Sequence, residues 1–143
     1  MRILVIKLAA LGDVVLAFSA MQRIRMAHPD AEITLLTTPP YAGLAEASGL
    51  FDHVQTDGRP RKLRDLVGML ARLRRSRFDL VYDLQTSSRS SRYFHALWPR
   101  RPRWSGIARG CALPHSNPER VRMHTLERQA DQLKAAGIWP DAP

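Results

Sequence analysis

The sequence predicts an α/β fold, with a Rossmann-like and mostly parallel sheet that carries helices on both faces. Residues 3–6 form a short, continuous and β-branched apolar run, as a buried parallel strand does, and FDLVYDLQ at residues 78–85 is predicted to be another buried strand. Segments with helical spacing of apolar residues separate the strand-like runs along the chain. Strands that alternate with helices in this way are typical of a doubly wound sheet.

The first unit of the chain is a strand, a turn and a helix, and Asp13 interrupts its apolar residues. We predict these elements at residues 3–6, 8–12 and 14–27. Pro29 ends the helix, because proline cannot continue helical hydrogen bonding and restricts the residue before it. Asp13 is therefore expected at the helix N-terminus, where aspartate is a favoured N-cap.

Asp13 has a second interpretation, which is compatible with capping. Ligands of doubly wound sheets bind outside the carboxyl ends of the strands, and Asp13 follows such an end. A targeting or membrane-spanning segment does not explain the apolar runs. Lys7 and Asp13 divide them into pieces far shorter than the ~20 residues that a spanning helix needs. We therefore expect a cytoplasmic protein.

The rest of the chain continues the alternation of strands and helices. Strands are predicted at residues 32–37, 53–56 and 78–85. Helices are predicted at residues 41–47, 61–76, 87–98 and 124–136, the last one ended by Gly137. Four prolines make residues 99–121 irregular, apart from a short strand at 103–105.

The length and composition predict one domain without a metal centre. The 143 residues are 45% hydrophobic, which suffices for one core, and we place the domain at residues 1–138 and the start of an interdomain linker at 139–143. Cys111 is the only cysteine and has no partner at zinc-ligand spacing, so neither a disulfide nor a metal site is predicted. The first turn has a single glycine, which disfavours a nucleotide-binding protein that uses this turn.

The formal net charge of +9 is concentrated in the middle of the chain. Residues 59–103 contain thirteen basic and three acidic side chains, whereas residues 1–58 contain four and six. Within this segment, the predicted helix at 61–76 is amphipathic, with one apolar face and one cationic face. The apolar face consists of Leu63, Leu66, Val67, Leu70 and Leu73. Such a concentration of charge attracts nucleic acid, anionic lipid, or a phosphorylated or carboxylated substrate, and does not choose among them.

Polar side chains also follow the strand predicted at 78–85. Asp83 and Gln85 lie at its carboxyl end, and Ser87 begins the next helix. If the connections are right-handed crossovers, these side chains share an edge of the sheet with Asp13. The sequence therefore predicts a polar site at this edge.

Three segments together resemble a known family. They are MRILVIKLAALGDVVLAFSAM at the start, FDLVYDLQTSSRSS from residue 78 and HTLERQADQL from residue 124. They are similar to the N-terminal half of the family-nine glycosyltransferases, the ADP-heptose:lipopolysaccharide heptosyltransferases. The resemblance implies one half of a GT-B architecture, in which two Rossmann-like halves face each other across a cleft. The C-terminal donor domain would be absent from this chain.

The resemblance implies an inverting transfer of a heptose, or a related sugar, to an anionic acceptor in the inner core of lipopolysaccharide. Asp13 would be the catalytic base, because a carboxylate within hydrogen-bond reach can take the proton of the attacking hydroxyl. No cofactor is implied, and the donor, ADP-heptose, would bind mainly to the missing half. The acceptor-binding residues would be Lys7, Gly12, Arg59, Arg61, Lys62, Arg64, Asp83, Gln85 and Ser87.

Some of these assignments have alternatives. Lys7 could instead be a strand-end lysine whose ammonium extends to solvent. Arg72, Arg74, Arg75 and Arg77 suit the anionic face of the inner membrane, which would make the protein cytoplasmic and peripheral to that membrane. A different class of protein, a non-catalytic basic Rossmann-like module that binds nucleic acid or another polyanion, is also open. No nucleic-acid-binding motif favours it, and no nucleic acid is expected.

One residue departs from the family pattern. The family commonly has a glycine after Asp-x-Gln, where this chain has Thr86. We therefore expect a local change of the backbone at this position, with an effect on the identity of the acceptor.

Overall fold

The computed structural model describes residues 1–138, which form a six-stranded sheet whose strands are all parallel. The strands are β1 Arg2–Ile6, β2 Glu32–Leu36, β3 His53–Gln55, β4 Leu80–Asp83, β5 Arg103–Gly106 and β6 Leu113–Pro114. Their order across the sheet is β3-β2-β1-β4-β5-β6. The strands that follow β1 are thus added on one side of it, up to β3, and those from β4 onward are added on its other side. The predicted fold class is confirmed. The linker predicted at residues 139–143 lies outside the described residues.

Five helices accompany the strands within the described residues. They are α1 Leu11–Ala27, α2 Ala42–Ser48, α3 Leu63–Ser76, α4 Ser88–Ala96 and α5 Thr125–Ala135. The predicted stop of α5 is confirmed, because Gly137 has a φ of 85°, the left-handed conformation that ends helices. None of the helices in residues 1–138 is long and apolar enough to cross a bilayer.

The helices cover both faces of the sheet, and β1 shows why. Ile3 and Val5 point to one face, where they join a core that includes residues of α1 and α5. Leu4 and Ile6 point to the other face and join a core that includes residues of α3 and α4. All four side chains are fully buried, which explains the uninterrupted apolar run in the sequence.

The face that α3 presents to the core differs from the prediction. Met69 and Leu73 are its buried residues, whereas Leu63 and Val67 are 75% and 58% exposed. The apolar side chains of α3 extend around more of the helix circumference than the part that packs against the sheet. Spacing alone therefore could not predict which of them would be buried. The predicted inner position of Leu63 and Val67 is therefore wrong.

The turn after β3 is packed tightly against the sheet. A Cβ atom at Gly58 would lie 2.7 Å from the carbonyl oxygen of Thr37, so only glycine fits there. The hydroxyl of Tyr93, on α4, donates a hydrogen bond of 2.7 Å to the carbonyl oxygen of Gly58. These contacts hold the start of the basic segment near the carboxyl edge of the sheet.

β6 was not predicted, and its composition explains the omission. It contains only Leu113 and Pro114, and proline is rare in strands because it lacks an N–H donor. Proline is tolerated here because β6 lies at the edge of the sheet.

Candidate active site

The candidate site lies at the point where the strand order reverses. β1 and β4 are neighbours, with Ile6 paired to Asp83, and the chain leaves them towards different sides of the sheet. The crevice outside the carboxyl ends of such strands is where doubly wound proteins bind their ligands. Asp13, Asp83 and Gln85 are on this edge, as the sequence predicted.

A small cleft of about 110 Å³ opens at this edge. It is lined by Lys7, Ala9, Asp13, Leu84, Gln85, Thr86, Thr125, Arg128, Gln129 and Gln132. Such a volume is smaller than that of pockets that enclose a whole small-molecule ligand. It suits a hydroxyl group and its immediate neighbours, with the rest of the ligand outside. We call it the Asp13 cleft.

Asp13 is not the N-cap of α1, which corrects the prediction. The helix begins two residues earlier, at Leu11, and Ala10 occupies the capping position without a side-chain hydrogen bond. Asp13 is therefore in the first helical turn, where its charge is favourable to the helix dipole. The backbone N–H of Val14 bonds to the carbonyl of Ala10 at 2.8 Å, which closes this first turn without help from the carboxylate.

The carboxylate of Asp13 is instead held by α5. The hydroxyl of Thr125 donates a hydrogen bond of 3.1 Å to Oδ1 of Asp13. No hydrogen bond reaches Oδ2 from any other residue in the described part of the chain. One oxygen is thus oriented by the protein, while the other can accept a hydrogen bond from a ligand.

Lys7 is buried in the Asp13 cleft, with 5% of its surface exposed. Most of this side chain is therefore covered by protein, and the residue lines the Asp13 cleft. Burial lowers the pKa of Lys7, while the charges of Asp13 and Asp83 raise it and that of Arg128 lowers it further. The cleft therefore holds a buried amine under the influence of two carboxylates and a guanidinium.

Asp83 lies beneath the cleft and has no exposed surface. Its Oδ1 accepts hydrogen bonds from the backbone N–H groups of Gln85, at 3.1 Å, and Thr86, at 2.9 Å. Burial raises its pKa to about 6, and the hydrogen bond from the Thr86 N–H, among others, counters part of that rise. Asp83 thus shapes the loop after β4 and does not present its carboxylate to a ligand in this conformation.

Gln85 joins the loops that follow β1 and β4. Its Oε1 accepts hydrogen bonds from the backbone N–H of Leu8, at 3.0 Å, and of Ala9, at 3.4 Å. Its own N–H bonds to the carbonyl of Ile6 at 3.1 Å. Gln85 therefore fixes the loops that form the floor of the cleft.

Thr86 has a φ of 44°, in the left-handed region that glycine adopts without strain. A β-branched side chain is disfavoured there, so the loop keeps this conformation in spite of threonine. The N–H of Thr86 is needed in this position, because it bonds to Asp83. Thr86, which stands where the resembling family commonly has a glycine, thus lines the Asp13 cleft and keeps a backbone conformation typical of glycine.

The other predicted acceptor-binding residues do not line the Asp13 cleft. Ser87 is the N-cap of α4, and its Oγ accepts a hydrogen bond of 3.2 Å from the N–H of Ser90. Gly12 is exposed at the start of α1. Four basic residues are exposed after β3, near the same edge of the sheet, namely Arg59, Arg61, Lys62 and Arg64.

α5 contributes residues to the cleft that the sequence analysis did not assign. Thr125, Arg128 and Gln129 are spaced so that they share one face of the helix, and all three line the cleft. The guanidinium of Arg128 donates to the carbonyl oxygens of Arg120, at 3.0 Å, and Met123, at 3.1 Å. Polar residues at this helical spacing in HTLERQ were a signal that could have identified this face.

Gln129, on α5, also lines the Asp13 cleft. Gln129 is 4% exposed, and its Oε1 has no hydrogen-bond partner within residues 1–138. Its amide therefore lines the cleft as an unsatisfied acceptor.

Among the described residues, no group of three histidine, cysteine or acidic side chains is placed to hold a metal ion.

Several solved structures of glycosyltransferases have a fold similar to that of this chain. A family 9 glycosyltransferase from Veillonella parvula matches with a TM-score of 0.77 and 21% identity, over 98% of this chain and 42% of that one. The heptosyltransferase WaaC from E. coli, with ADP-2-deoxy-2-fluoro heptose, matches with a TM-score of 0.68 and 19% identity, over 100% of this chain and 51% of that one.

A third solved structure agrees over a shorter part of the chain. The E. coli ADP-heptose lps heptosyltransferase II has a TM-score of 0.61 and 21% identity, over 76% of this chain and 31% of that one. The chain thus spans about half the length, or less, of the structures that it matches. No protein-family model and no curated protein matches the sequence. Its similarity to heptosyltransferases is a similarity of fold.

Proposed function

We propose that this chain is the acceptor-side half of an inverting glycosyltransferase. The enzyme would transfer a heptose, or a related sugar, from a nucleotide-sugar donor to an anionic acceptor in the lipopolysaccharide inner core. The proposal is supported by the fold that the chain shares with a family 9 glycosyltransferase and with two heptosyltransferases. It is also supported by the polar cleft at the switch point of the sheet.

The environment of Asp13 is the observation that carries the proposal. A general base has to lie within hydrogen-bond reach of the hydroxyl whose proton it takes. Thr125 holds one carboxylate oxygen of Asp13, and the other oxygen has no partner in the described chain. In an inverting transfer, this oxygen would accept the proton of the acceptor hydroxyl as that hydroxyl attacks the anomeric carbon from the side opposite the nucleotide.

Positive charges in the same cleft as Asp13 suit an anionic acceptor. Arg128 is oriented by two backbone carbonyls and lines the cleft, and Lys7 lies inside it. The exposed basic residues at 59–64 lie further along the same edge, where they could bind carboxylates or phosphates by charge-assisted hydrogen bonds. In this arrangement the hydroxyl would enter the cleft while the charged groups of the acceptor stay outside it.

The donor would bind mainly to a second half. The structure of WaaC contains ADP-2-deoxy-2-fluoro heptose, and this chain covers 51% of WaaC. We therefore define the two-half enzyme as this chain joined, through residues 139–143, to a donor-binding Rossmann-like half. The enzyme would act in the cytoplasm at the inner membrane, where a lipid-linked acceptor is accessible.

Acceptor binding to the isolated chain tests the proposal. The amide NMR signals of Asp13, Gln85 and Thr125 should shift on titration with a carboxylated inner-core oligosaccharide. A neutral oligosaccharide of the same size is the control and should leave them unchanged. Absence of shifts at the Asp13 cleft, or equal shifts with the neutral sugar, would contradict an acceptor site there.

A further inference from the structure

Arg128, which lines the Asp13 cleft, is oriented by the loop that precedes α5. We call this segment, residues 115–123, the α5 loop. Nε and Nη2 of Arg128 donate hydrogen bonds to the carbonyl oxygens of Arg120, at 3.0 Å, and Met123, at 3.1 Å. The remaining nitrogen, Nη1, takes no part in these two bonds. The direction of the guanidinium in the cleft thus depends on where the α5 loop places two carbonyl groups.

The α5 loop is attached to α5 a second time, through Asp131. Oδ2 of Asp131 lies 2.6 Å from Nε2 of His115 and accepts a hydrogen bond of 3.2 Å from Nδ2 of Asn117. The hydrogen bond with His115 lowers the pKa of Asp131, so the carboxylate remains ionised and can accept both bonds. Asp131 follows Arg128 by three residues, which places the two on neighbouring positions of one helix face. Both contacts of the loop are therefore made by the same side of α5.

His115 is the buried centre of this attachment. It is 3% exposed, and both of its ring nitrogens have partners. Nε of Arg120 lies 3.3 Å from Nδ1 of His115. Because the Nε–H of arginine can only donate, Nδ1 has to be the unprotonated nitrogen. The proton of the neutral ring is then on Nε2, which donates to Asp131.

Arg120 depends on this acceptor, because no carboxylate neutralises it. None of the ion pairs within residues 1–138 includes Arg120, and its Nη2 is buried without a partner there. Burial lowers the pKa of Arg120, the charge of Arg128 lowers it further, and that of Asp83 raises it. The two guanidinium groups thus repel each other. A neutral acceptor at His115 holds Arg120 in place, whereas a doubly protonated ring would add a third positive charge.

We propose that His115 is a positioning residue for Arg128. Asp131 fixes the Nε2–H tautomer, and the free Nδ1 then holds the side chain of Arg120. The backbone of Arg120 in turn supplies one of the two carbonyls that orient Arg128. His115 does not line the Asp13 cleft and acts on it only through the α5 loop. The orientation of Arg128 is a property of this chain alone, while its consequence for acceptor binding rests on the proposed function.

The tautomer of His115 is tested in the unsubstituted chain of 143 residues. Its ¹⁵N spectrum at neutral pH should show an unprotonated Nδ1 and a protonated Nε2 for this ring. A doubly protonated ring, or a proton on Nδ1, would overturn the proposal, because neither form offers an acceptor to Arg120. This measurement needs no substitution, so a variant that fails to fold does not affect it.

Two substitutions separate the two hydrogen bonds of His115. Asparagine places an oxygen near the position of Nδ1, so His115→Asn retains the acceptor for Arg120. Glutamine places its amide near the position of Nε2, so His115→Gln retains the contact with Asp131 and loses that acceptor. Hydrogen exchange at the Nε–H of Arg128 should be about fivefold faster in the glutamine variant, and should change by less than about twofold in the asparagine variant. Unchanged exchange in the glutamine variant would overturn the proposal.

Two controls distinguish positioning from a general loss of stability. The Nε–H of Arg25 also donates to a backbone carbonyl oxygen, at 2.8 Å, and its exchange should stay unchanged in the same spectra. His53→Gln removes the ring of another histidine–carboxylate pair, with Glu32, at the opposite edge of the sheet, and should leave Arg128 unaffected. Equal acceleration at Arg25 and Arg128, or equal acceleration at Arg128 in both His115 variants, would contradict the inference.

Acceptor binding separates this inference from the proposed function. His115→Gln should weaken the binding of the carboxylated inner-core oligosaccharide about tenfold, because a charge-assisted hydrogen bond from Arg128 is misdirected. His53→Gln should leave the affinity unchanged. If the unsubstituted chain does not bind the oligosaccharide, the acceptor site is contradicted, while exchange at Arg128 still decides the role of His115. Faster exchange with unchanged affinity would confirm the positioning and contradict its effect on the acceptor.

Discussion

The hydroxyl of Thr125 donates a hydrogen bond of 3.1 Å to Oδ1 of Asp13, across 112 residues of sequence. This contact joins the start of α5 to the start of α1 at the candidate site. It gives the carboxylate a fixed orientation, and it does so with a neutral donor that leaves the charge of Asp13 in place. The geometry of Asp13 therefore depends on an element at the far end of the chain.

Thr125→Val should disturb the orientation of Asp13 without removing its carboxylate. In the two-half enzyme, we expect kcat to fall about tenfold with little change in KM, because the loss concerns proton transfer more than acceptor binding. The free energy of unfolding should fall by about 1 kcal/mol for the lost hydrogen bond. Thr125→Ser retains the hydroxyl and should restore kcat. Equal losses in both variants would argue against the hydrogen bond as the cause.

Asp83 should make the stability of the fold depend on pH. Its folded-state pKa of about 6 is above the usual value near 3.8, so folding is favoured by its protonated form. This contribution is fully present below about pH 4 and is lost as the pH rises through about 6. We expect the free energy of unfolding to fall by about 2 kcal/mol between these limits on account of Asp83.

Asp83→Asn is the matched variant for this effect. Its side-chain oxygen can still accept the N–H bonds of Gln85 and Thr86, but it does not titrate. Urea unfolding at pH 4, 6 and 8 should therefore show a smaller decline with pH in the variant than in the unsubstituted chain. Parallel pH profiles for the two proteins would show that another group causes the decline.

Thr86→Gly should relieve backbone strain next to the Asp13 cleft. A left-handed conformation costs an L-residue roughly 1–2 kcal/mol, and glycine does not incur this cost. Thr86→Ala keeps a Cβ atom and therefore most of the strain. We expect the glycine variant to exceed the alanine variant by about 1 kcal/mol in the free energy of unfolding, measured by urea denaturation. Equal stability of the two variants would show that the positive φ carries little strain.

The sheet could be predicted from the sequence, because parallel strands that are buried on both faces appear as continuous apolar runs. Residues 3–6 are apolar on both faces of β1 since both faces are covered. The prediction that Asp13 and Gln85 share an edge followed from the handedness of crossovers. β6 could not be predicted, because two residues carry no period and its pairing depends on β5.

The contacts within the site were less predictable than its location. Asp13 was expected to cap its own helix, yet the helix starts earlier and the carboxylate binds a residue of α5. A hydrogen bond between such distant residues leaves no local pattern. Asp83 followed the strand as expected, but the direction of its side chain depended on the pleat and on the loop after it. The spacing of residues along the sequence predicts the edge of the sheet at which a side chain lies, whereas its hydrogen-bond partner depends on tertiary packing.

The isolated chain should not bind ADP tightly or transfer a sugar. The first turn lacks a glycine-rich loop, and the donor is proposed to bind mainly to the second half. Isothermal titration calorimetry with ADP should show no binding at micromolar concentrations, and the two-half enzyme is the positive control. Micromolar binding by the isolated chain would mean that donor and acceptor have been assigned to the wrong halves.

The central claim is that Asp13 is the base, and Asp13→Asn in the two-half enzyme tests it most directly. Asparagine keeps the shape of the side chain and can still accept the hydrogen bond from Thr125, so the loss of unfolding free energy should stay below about 1 kcal/mol. It cannot accept the hydroxyl proton, so turnover should fall on the order of a hundredfold or more. An asparagine variant that melts at the same temperature as the unsubstituted enzyme, and transfers the sugar at the same rate, would contradict the claim.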